Sequence, residues 1–530
     1  MKQKIGGAVV GFLVLWSTLL HAAVEGAPWL GELDGVVERA RKEFAVPGIA
    51  VAIVQDGRVV AARGYGLREL GKPETVDAHT LFAIASNTKA FTAAALAILV
   101  DEKALAWNDR VVERLPWFQM SDAYVTREMT IRDLLVHRSG LGLGAGDLLF
   151  WPTTTYSTEA VVRRLRFVPL ATSFRANYAY DNILYAAAGL TLEQVSGKPW
   201  PAFVRERIFA PVGMTESKTS ASDLRPGDNA ATGHAKYDFK DLRTVPPTAW
   251  DNNLPAGGIR SSVHDMAKWL LVQLDGGRLP KGADGKEQRL FSEARQREMW
   301  SLVTPIGIAP ASVPALAPLV PNFRGYGLGW NVNDYRGKKI VSHTGGWPGQ
   351  VSRVTLVPEA KLGIVVLTNQ EEGAAFQTVT YSVLDAALGA PATDWVAAYA
   401  EVVKKGQANA DESWQKHVAA RDAASKPSLP WAKYAGTYRD AWYGDVSLAL
   451  EGEKLVMTFS KTAQLVGDLD HWQHDTFIVK WRDRSLNADA FVTFALTPDG
   501  AVESVKMEAV SPLTDFSFDF HDLKLKPVGK

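Results

Sequence analysis

The stretch that most constrains this chain is Leu81–Val100, LFAIASNTKAFTAAALAILV. Beyond Lys89 it is apolar on every side and rich in Ala and Leu, which predicts a helix buried all round. Two polar side chains, Ser86 and Lys89, stand where that helix begins. At i and i+3 they share one helical face, with Cβ atoms about 5–6 Å apart. The first turn also brings unpaired N–H groups and a positive dipole end, which favour developing negative charge. A serine made nucleophilic by a neighbouring amine is one route to acyl transfer. Read alone, the pair describes only an N-cap and a snorkelling lysine. The same spacing recurs at Ser413 and Lys416, in a polar, charged stretch that reads as an exposed helix face.

The chain has 530 residues, 47% hydrophobic and 22% charged, enough for a large core and more than one domain. Lys+Arg 58 balance Asp+Glu 58, so charge gives no reason to expect nucleic acid or an anionic surface as partner. The absence of cysteine excludes disulfides, thiol catalysis and Cys-based metal sites. No metal or other cofactor is expected, and the seventeen tryptophans suggest an aromatic-lined core or pocket. At the start, Lys2 and Lys4 precede the apolar run Ile5–Leu20 and then Ala22, Ala23, Gly26 and Ala27. That pattern predicts a signal peptide over residues 1–23 and a periplasmic or secreted protein, with no membrane association beyond the leader.

Leu30–Phe44 reads as a surface helix. Ile49–Val54 and Val59–Ala62 flank an Asp56-Gly57 hairpin signal. A mostly helical middle follows, with Ile131–Val136, a buried helix Ile183–Val195 ending at Gly197, and Met266–Leu274. Ser301–Pro321 holds five prolines and reads as an irregular loop. Strand patterns return at Lys338–Val341, Ser352–Val357 and Gly363–Thr368, with a closing helix at Tyr381–Leu388. Strands, a helical block, then strands again predict an α+β domain over residues 28–390. In it an antiparallel sheet flanked by helices is completed by sequence-distant segments, beside an all-helical subdomain. A cleft at that junction is the default site. Residues 391–429 read as a helical linker. Residues 430–530 read as an all-β barrel or sandwich of short runs: Tyr434–Tyr438, Asp445–Leu450, Lys454–Phe459, Thr476–Trp481, Ala490–Leu496, Ala501–Ala509 and Asp515–Asp519.

Two further motifs supply partners for Ser86. Tyr180-Asp181-Asn182 precedes a buried helix, and His343-Thr344-Gly345-Gly346 closes a strand before Trp347-Pro348-Gly349. Together they provide a nucleophile, a proton acceptor, a hydrogen-bonding clamp and a strand edge whose N–H can face an oxyanion. The order S-x-x-K, Y-x-N and an H-T-G in place of K-T-G resembles the penicillin-recognising serine hydrolases. The nearer likeness is to the class C β-lactamase-like branch, with its family VIII esterases and D-amino-acid peptidases. TIRDLLVHRSGL, AYDNILYAAAG, AGGIRSSVHDMAKWL, GYGLGW and HTGGWPGQ agree with it. The tail resembles the lipocalin-like domain that often follows such hydrolases.

The resemblance implies that Ser86 forms an acyl-enzyme, with Lys89 and Tyr180 in a shared proton network and the lysine's charge favouring tyrosinate. It implies that Asn182 bonds Lys89 and the substrate amide, and that the oxyanion sits between the N–H groups of Ser86 and Gly346. The departure is His343, where the β-lactamases and carboxypeptidases carry lysine. A histidine is mostly neutral at pH 7 and attracts a substrate carboxylate weakly. The expected function is therefore an exported serine hydrolase of esters or amides with weak β-lactamase activity. The alternatives are a D-aminopeptidase type acting on peptidoglycan-type peptides, and a catalytically slow penicillin-binding scaffold.

Other candidates read as structural. His137 is expected to fix a loop, and His471 and His474, on opposite faces of a strand, to bind no metal. Lys218-Thr219-Ser220 lacks the glycine of a K-T-G motif. Trp442, Trp472 and Trp481 are expected to give the tail aromatic surface, with which it covers the cleft mouth or forms a homo-oligomer.

Overall fold

The computed structural model describes residues 28–280 and 286–529. The leader expected at residues 1–23 lies outside them. Strands β1 (Gly48–Gln55) and β2 (Arg58–Gly66) form the first hairpin. At its tip Asp56 and Gly57 both have positive φ, the geometry that Asp-Gly favours. A short strand β3 (Phe82–Ala83) leads into the central helix Thr88–Asp101, so the first residues of the opening stretch are extended rather than helical. The helical block follows, interrupted by the hairpin β4 (His234–Tyr237) and β5 (Asp241–Thr244). After β6 (Arg260–Ser261), which pairs with β3, it continues through helices Val263–Leu274 and Glu293–Met299.

The chain then returns to the sheet through β7 (Thr304–Pro305), β8 (Arg324–Tyr326), β9 (Asn331–Tyr335), β10 (Lys338–Trp347), β11 (Gln350–Val357) and β12 (Leu362–Thr368). The antiparallel order is β2-β1-β12-β11-β10-β9-β8-β7. Sequence-distant ends thus complete one sheet, the expected α+β arrangement. Ser301–Pro321 is not wholly irregular, since it contains β7 and a 3-10 turn at Pro314–Leu319. β10 also runs past its expected end, so His343, Thr344 and Gly345 lie inside the strand.

Period-two alternation separates two apolar layers. In β1, Ala50, Ala52 and Val54 join the core around the central helix, while Ile49, Val51 and Ile53 face the opposite layer. That second layer is covered by helices Leu33–Glu43 and Gly373–Ala387. It is also covered by Trp395, Ala398 and Tyr399, the first turns of helix Trp395–Ala420. The segment read as a linker therefore begins as part of the domain's outer helical layer. Its apolar stripe is confined to those turns, which is why no stripe of constant phase runs through it.

The tail is an eight-stranded antiparallel barrel, built from β13 (Gly436–Asp440), β14 (Gly444–Glu451), β15 (Lys454–Phe459), β16 (Val466–Gln473), β17 (Thr476–Trp481), β18 (Ala490–Leu496), β19 (Val502–Ala509) and β20 (Lys526–Pro527). Val505 N–H bonds Leu525 O at 2.9 Å and nearly closes it. Two sequence expectations are corrected. β16 went unread because Gly467, Asp468 and Asp470 blur its alternation, and Asp515–Asp519 is a loop rather than a strand. A third correction concerns Trp442, Trp472 and Trp481, which give it no aromatic surface: Trp442 and Trp481 are buried in the core, and Trp472 is covered by Trp414 of the outer helix.

Candidate active site

Ser86 sits in a 3-10 turn, Ala85–Asn87, ahead of the central helix. Ala85 holds φ 46°, a left-handed conformation that costs a non-glycine residue about 1–2 kcal/mol. The surroundings enforce it. Ile84 N–H bonds Ile259 O at 3.1 Å, and Asn87 Nδ2 bonds Ser352 Oγ on β11 at 2.8 Å. Ser86 is no N-cap: Asn87 holds that position and makes no side-chain cap.

Lys89 does not snorkel, being fully buried. Its Nζ lies 3.0 Å from Ser86 Oγ, 2.7 Å from Asn182 Oδ1 and 3.0 Å from Ala256 O. Burial pushes its pKa down to about 7, against the pull of the Asp147 and Asp181 carboxylates. A neutral amine has two N–H groups, which match the two carbonyl acceptors, and a lone pair left to face Ser86 Oγ. Burial raises the pKa of Tyr180 well above its ordinary value, with the Ser86 side chain pulling the other way. Its ring keeps an open edge to the cleft and lies 4.9 Å from Lys89 Nζ. Desolvation favours the neutral phenol over the tyrosinate that the resemblance implies.

Asn182 spends its other end on a second carboxyl, with Nδ2 donating to Asp147 Oδ2 at 2.7 Å. Ser517 Oγ donates to the same oxygen at 2.9 Å. Asp519 then accepts from Gly146 N–H at 2.5 Å and Leu148 N–H at 3.1 Å. Burial pushes Asp147 up to about 8 and Asp519 well above its ordinary value. Ser517 and Asp519 belong to the barrel, so a hydrogen-bonded chain runs from the second domain through Asp147 and Asn182 to Lys89. Sequence reasoning missed these three residues. Asp-Phe-Ser-Phe-Asp alternates as an amphipathic strand does, and nothing local marks it as a loop bonded across some 370 positions.

His343 Nδ1 lies 2.5 Å from Thr344 O, so that nitrogen carries the proton, and Nε2 accepts from Tyr326 Oη at 2.8 Å. Burial, then the charge of Lys89, pushes its pKa down to about 3. It is a neutral element of the wall, while Thr344 and Gly346 are exposed to the cleft. Gly345 is required by close approach: a Cβ there would stand 2.3 Å from Ile84 O and 2.9 Å from Ser86 N. Thr344 pairs with Arg353 across β10 and β11. Cross-strand partners share a face, so the sheet wall carries a guanidinium that sequence reasoning overlooked.

These groups meet in one cavity of about 500 Å³ lined by Ser86, Tyr180, Asn182, His343, Thr344 and Gly346. Arg324 and Arg353 join it from the sheet, and Asp515, Phe516 and Ser517 from the barrel loop. Asp515 also borders an adjoining cavity of about 360 Å³ whose lining includes Glu371.

Among the remaining candidates, His137 is buried, accepts from Asp181 N–H at 3.2 Å and lies 4.3 Å from the Tyr180 ring, a support for the Y-x-N loop. Ser220 caps a 3-10 turn. His474 lies in a turn after β16 at φ 47°, not in a strand, and its carbonyl meets His471 Nε2. Lys416 pairs with Glu412 on the exposed side of its helix.

Comparisons with known proteins agree with this architecture. The Beta-lactamase family model matches residues 33–388, and a model for a domain of unknown function, DUF3471, matches residues 420–527. The Unguisins hydrolase ungD of Aspergillus violaceofuscus is 29% identical over 511 residues, covering 91% of this chain and 88% of that protein. Among solved structures, the octameric penicillin-binding protein homologue from Pyrococcus abyssi aligns with TM-score 0.58 at 20% identity, over 94% of this chain and 99% of its own. The D-amino acid amidase from Ochrobactrum anthropi, complexed with L-phenylalanine amide, aligns with TM-score 0.51 at 22% identity, over 68% of this chain and 98% of its own. At such identities the two structures bear on the fold alone.

Proposed function

The chain belongs to the Beta-lactamase family of hydrolases, and from that premise we propose that it cleaves amide or ester bonds of small peptide-like substrates through an acyl-enzyme on Ser86. The observation that carries this is the placement of Ser86 Oγ, 3.0 Å from a buried lysine whose pKa falls to about 7. Ser86 Oγ attacks the carbonyl carbon as its proton passes to Lys89 Nζ, and the oxyanion forms between the N–H groups of Ser86 and Gly346. The Lys89–Tyr180 pair then protonates the leaving amine or alkoxide. Water, deprotonated through the same pair, releases the acid and restores Ser86.

A second reading, an aminopeptidase type with D-residue preference, is favoured by Asp515. A carboxyl on the barrel loop beside the cleft suits a substrate's free amine, and Arg353 opposite suits a carboxylate. With His343 neutral, penicillin turnover is expected to be slow beside that of the best peptide amide. A relative named as an unguisins hydrolase supports a hydrolytic reaction. Export is part of the proposal, resting on the Lys2, Lys4 and Ile5–Leu20 pattern.

The test is labelling by a fluorophosphonate, lost in Ser86→Ala, followed by p-nitrophenyl esters against D- and L-aminoacyl anilides. Absence of Ser86-dependent labelling would leave the scaffold alternative. Efficient penicillin turnover, equal to that of the best anilide or ester, would overturn the substrate assignment.

A further inference from the structure

Away from the cleft, three side chains from three segments converge on one point. His79 Nδ1 lies 2.6 Å from Glu216 Oε1 and 3.2 Å from His264 Nδ1, and His264 Nδ1 lies 3.5 Å from the same carboxylate oxygen. None of the three lines the catalytic cavity. Bonds of 2.0–2.1 Å to a tetrahedral zinc ion place neighbouring ligand atoms about 3.3 Å apart. Two of the three separations already lie close to that edge, and the third needs a modest opening.

The positions are held by their surroundings. Asp265 Oδ2 accepts from the N–H groups of Glu216 at 2.8 Å and Ser217 at 3.0 Å, which fixes the backbone under the carboxylate. Ser262 Oγ donates to Glu216 Oε2 and leaves Oε1 aimed at the imidazoles. His264 N–H bonds Ala78 O at 3.0 Å, and His79 N–H bonds Asp77 Oδ1 at 2.8 Å. Such outer partners are what orient ligands in metal sites. The two rings meet edge to face with centroids 4.6 Å apart, both presenting Nδ1 to the shared point.

We propose that His79, Glu216 and His264 form a site for a divalent transition metal, zinc being the best fit, with solvent in the fourth position. Two imidazoles and a carboxylate are a borderline donor set suited to zinc, and soft thiolates are not needed. Its place in the fold gives the site a role. His79 precedes β3, and His264 follows β6, the pair whose continuation holds Ala85 and Ser86. A bound ion would clip the outer end of this pair and stiffen the nucleophile turn from outside.

The test uses the full chain, stripped of metal and titrated with Zn²⁺ alone. The expected result is one equivalent bound per chain with a rise in Tm, since an ion that binds the folded state stabilises it. His79→Ala and His264→Ala should each abolish both effects. Both side chains are largely exposed, at 55% and 42%, so neither change opens a core cavity. Glu216→Gln keeps a partner for Ser262 and should weaken binding at least tenfold, while His521→Ala, elsewhere on the surface, should bind as the parent does. Substoichiometric binding by the parent, or binding that survives both histidine substitutions, overturns the site.

Discussion

Two places in this molecule carry serine and lysine three residues apart on a helical turn, and their fates differ. Ser86 and Lys89 lie under the sheet, where the amine has shed solvent and found Asn182, Ala256 and the serine itself. Ser413 and Lys416 lie on the outer helix, where the amine pairs with Glu412 and both charges stay wet. The spacing supplies proximity in both. Burial sets the two apart, because desolvation brings Lys89 down to about 7.

The contrast is most sharply tested by removing the two hydroxyls. Ser86→Ala should cost on the order of 10⁴–10⁶-fold in kcat with the best amide or ester and abolish fluorophosphonate labelling, whereas Ser413→Ala should change neither. Equal labelling of the parent and Ser86→Ala would end the comparison. Lys89→Met should lower the acylation rate by roughly 10²–10⁴-fold, read by pre-steady-state product release, and Lys416→Met should leave it unchanged.

Smaller effects probe what makes the buried copy work. The pH profile of kcat/KM should rise through about 7 as Lys89 loses its proton. Asp147 raises that pKa, so Asp147→Asn should move the rising limb to lower pH. An unmoved limb would place the shared proton on Asp147 and take its charge out of the network. Ser517→Ala removes one hydrogen bond to Asp147, worth about 0.5–3 kcal/mol. It should lower kcat several-fold with little change in KM for a substrate too small to reach the loop.

How much of this was legible in the sequence follows from distance along the chain. The buried helix, the Y-x-N and H-T-G segments and the split sheet each announce themselves within a few residues, through period, turn chemistry or a motif. Whether Lys89 or Tyr180 holds the proton was not legible, because it depends on desolvation by segments that no local pattern names. Arg353 was hidden for a related reason. It reaches the site as Thr344's partner across β10 and β11, and register is a property of two strands together. The Asp515–Asp519 loop was misread because its alternation is that of a strand and its partners lie in another domain.

That loop has a consequence for how such an enzyme diversifies. Its two ends are rooted in the barrel, beyond β19 and before β20, while its middle faces the substrate. Exchange at Asp515 and Phe516 can therefore reshape one wall of the cleft while Ser86 and Lys89 stay untouched. The fastened contacts of Ser517 and Asp519 keep the exchanged loop in place. One wall of the cleft and the serine–lysine pair are thus inherited on separate stretches of one gene, free to drift at different speeds.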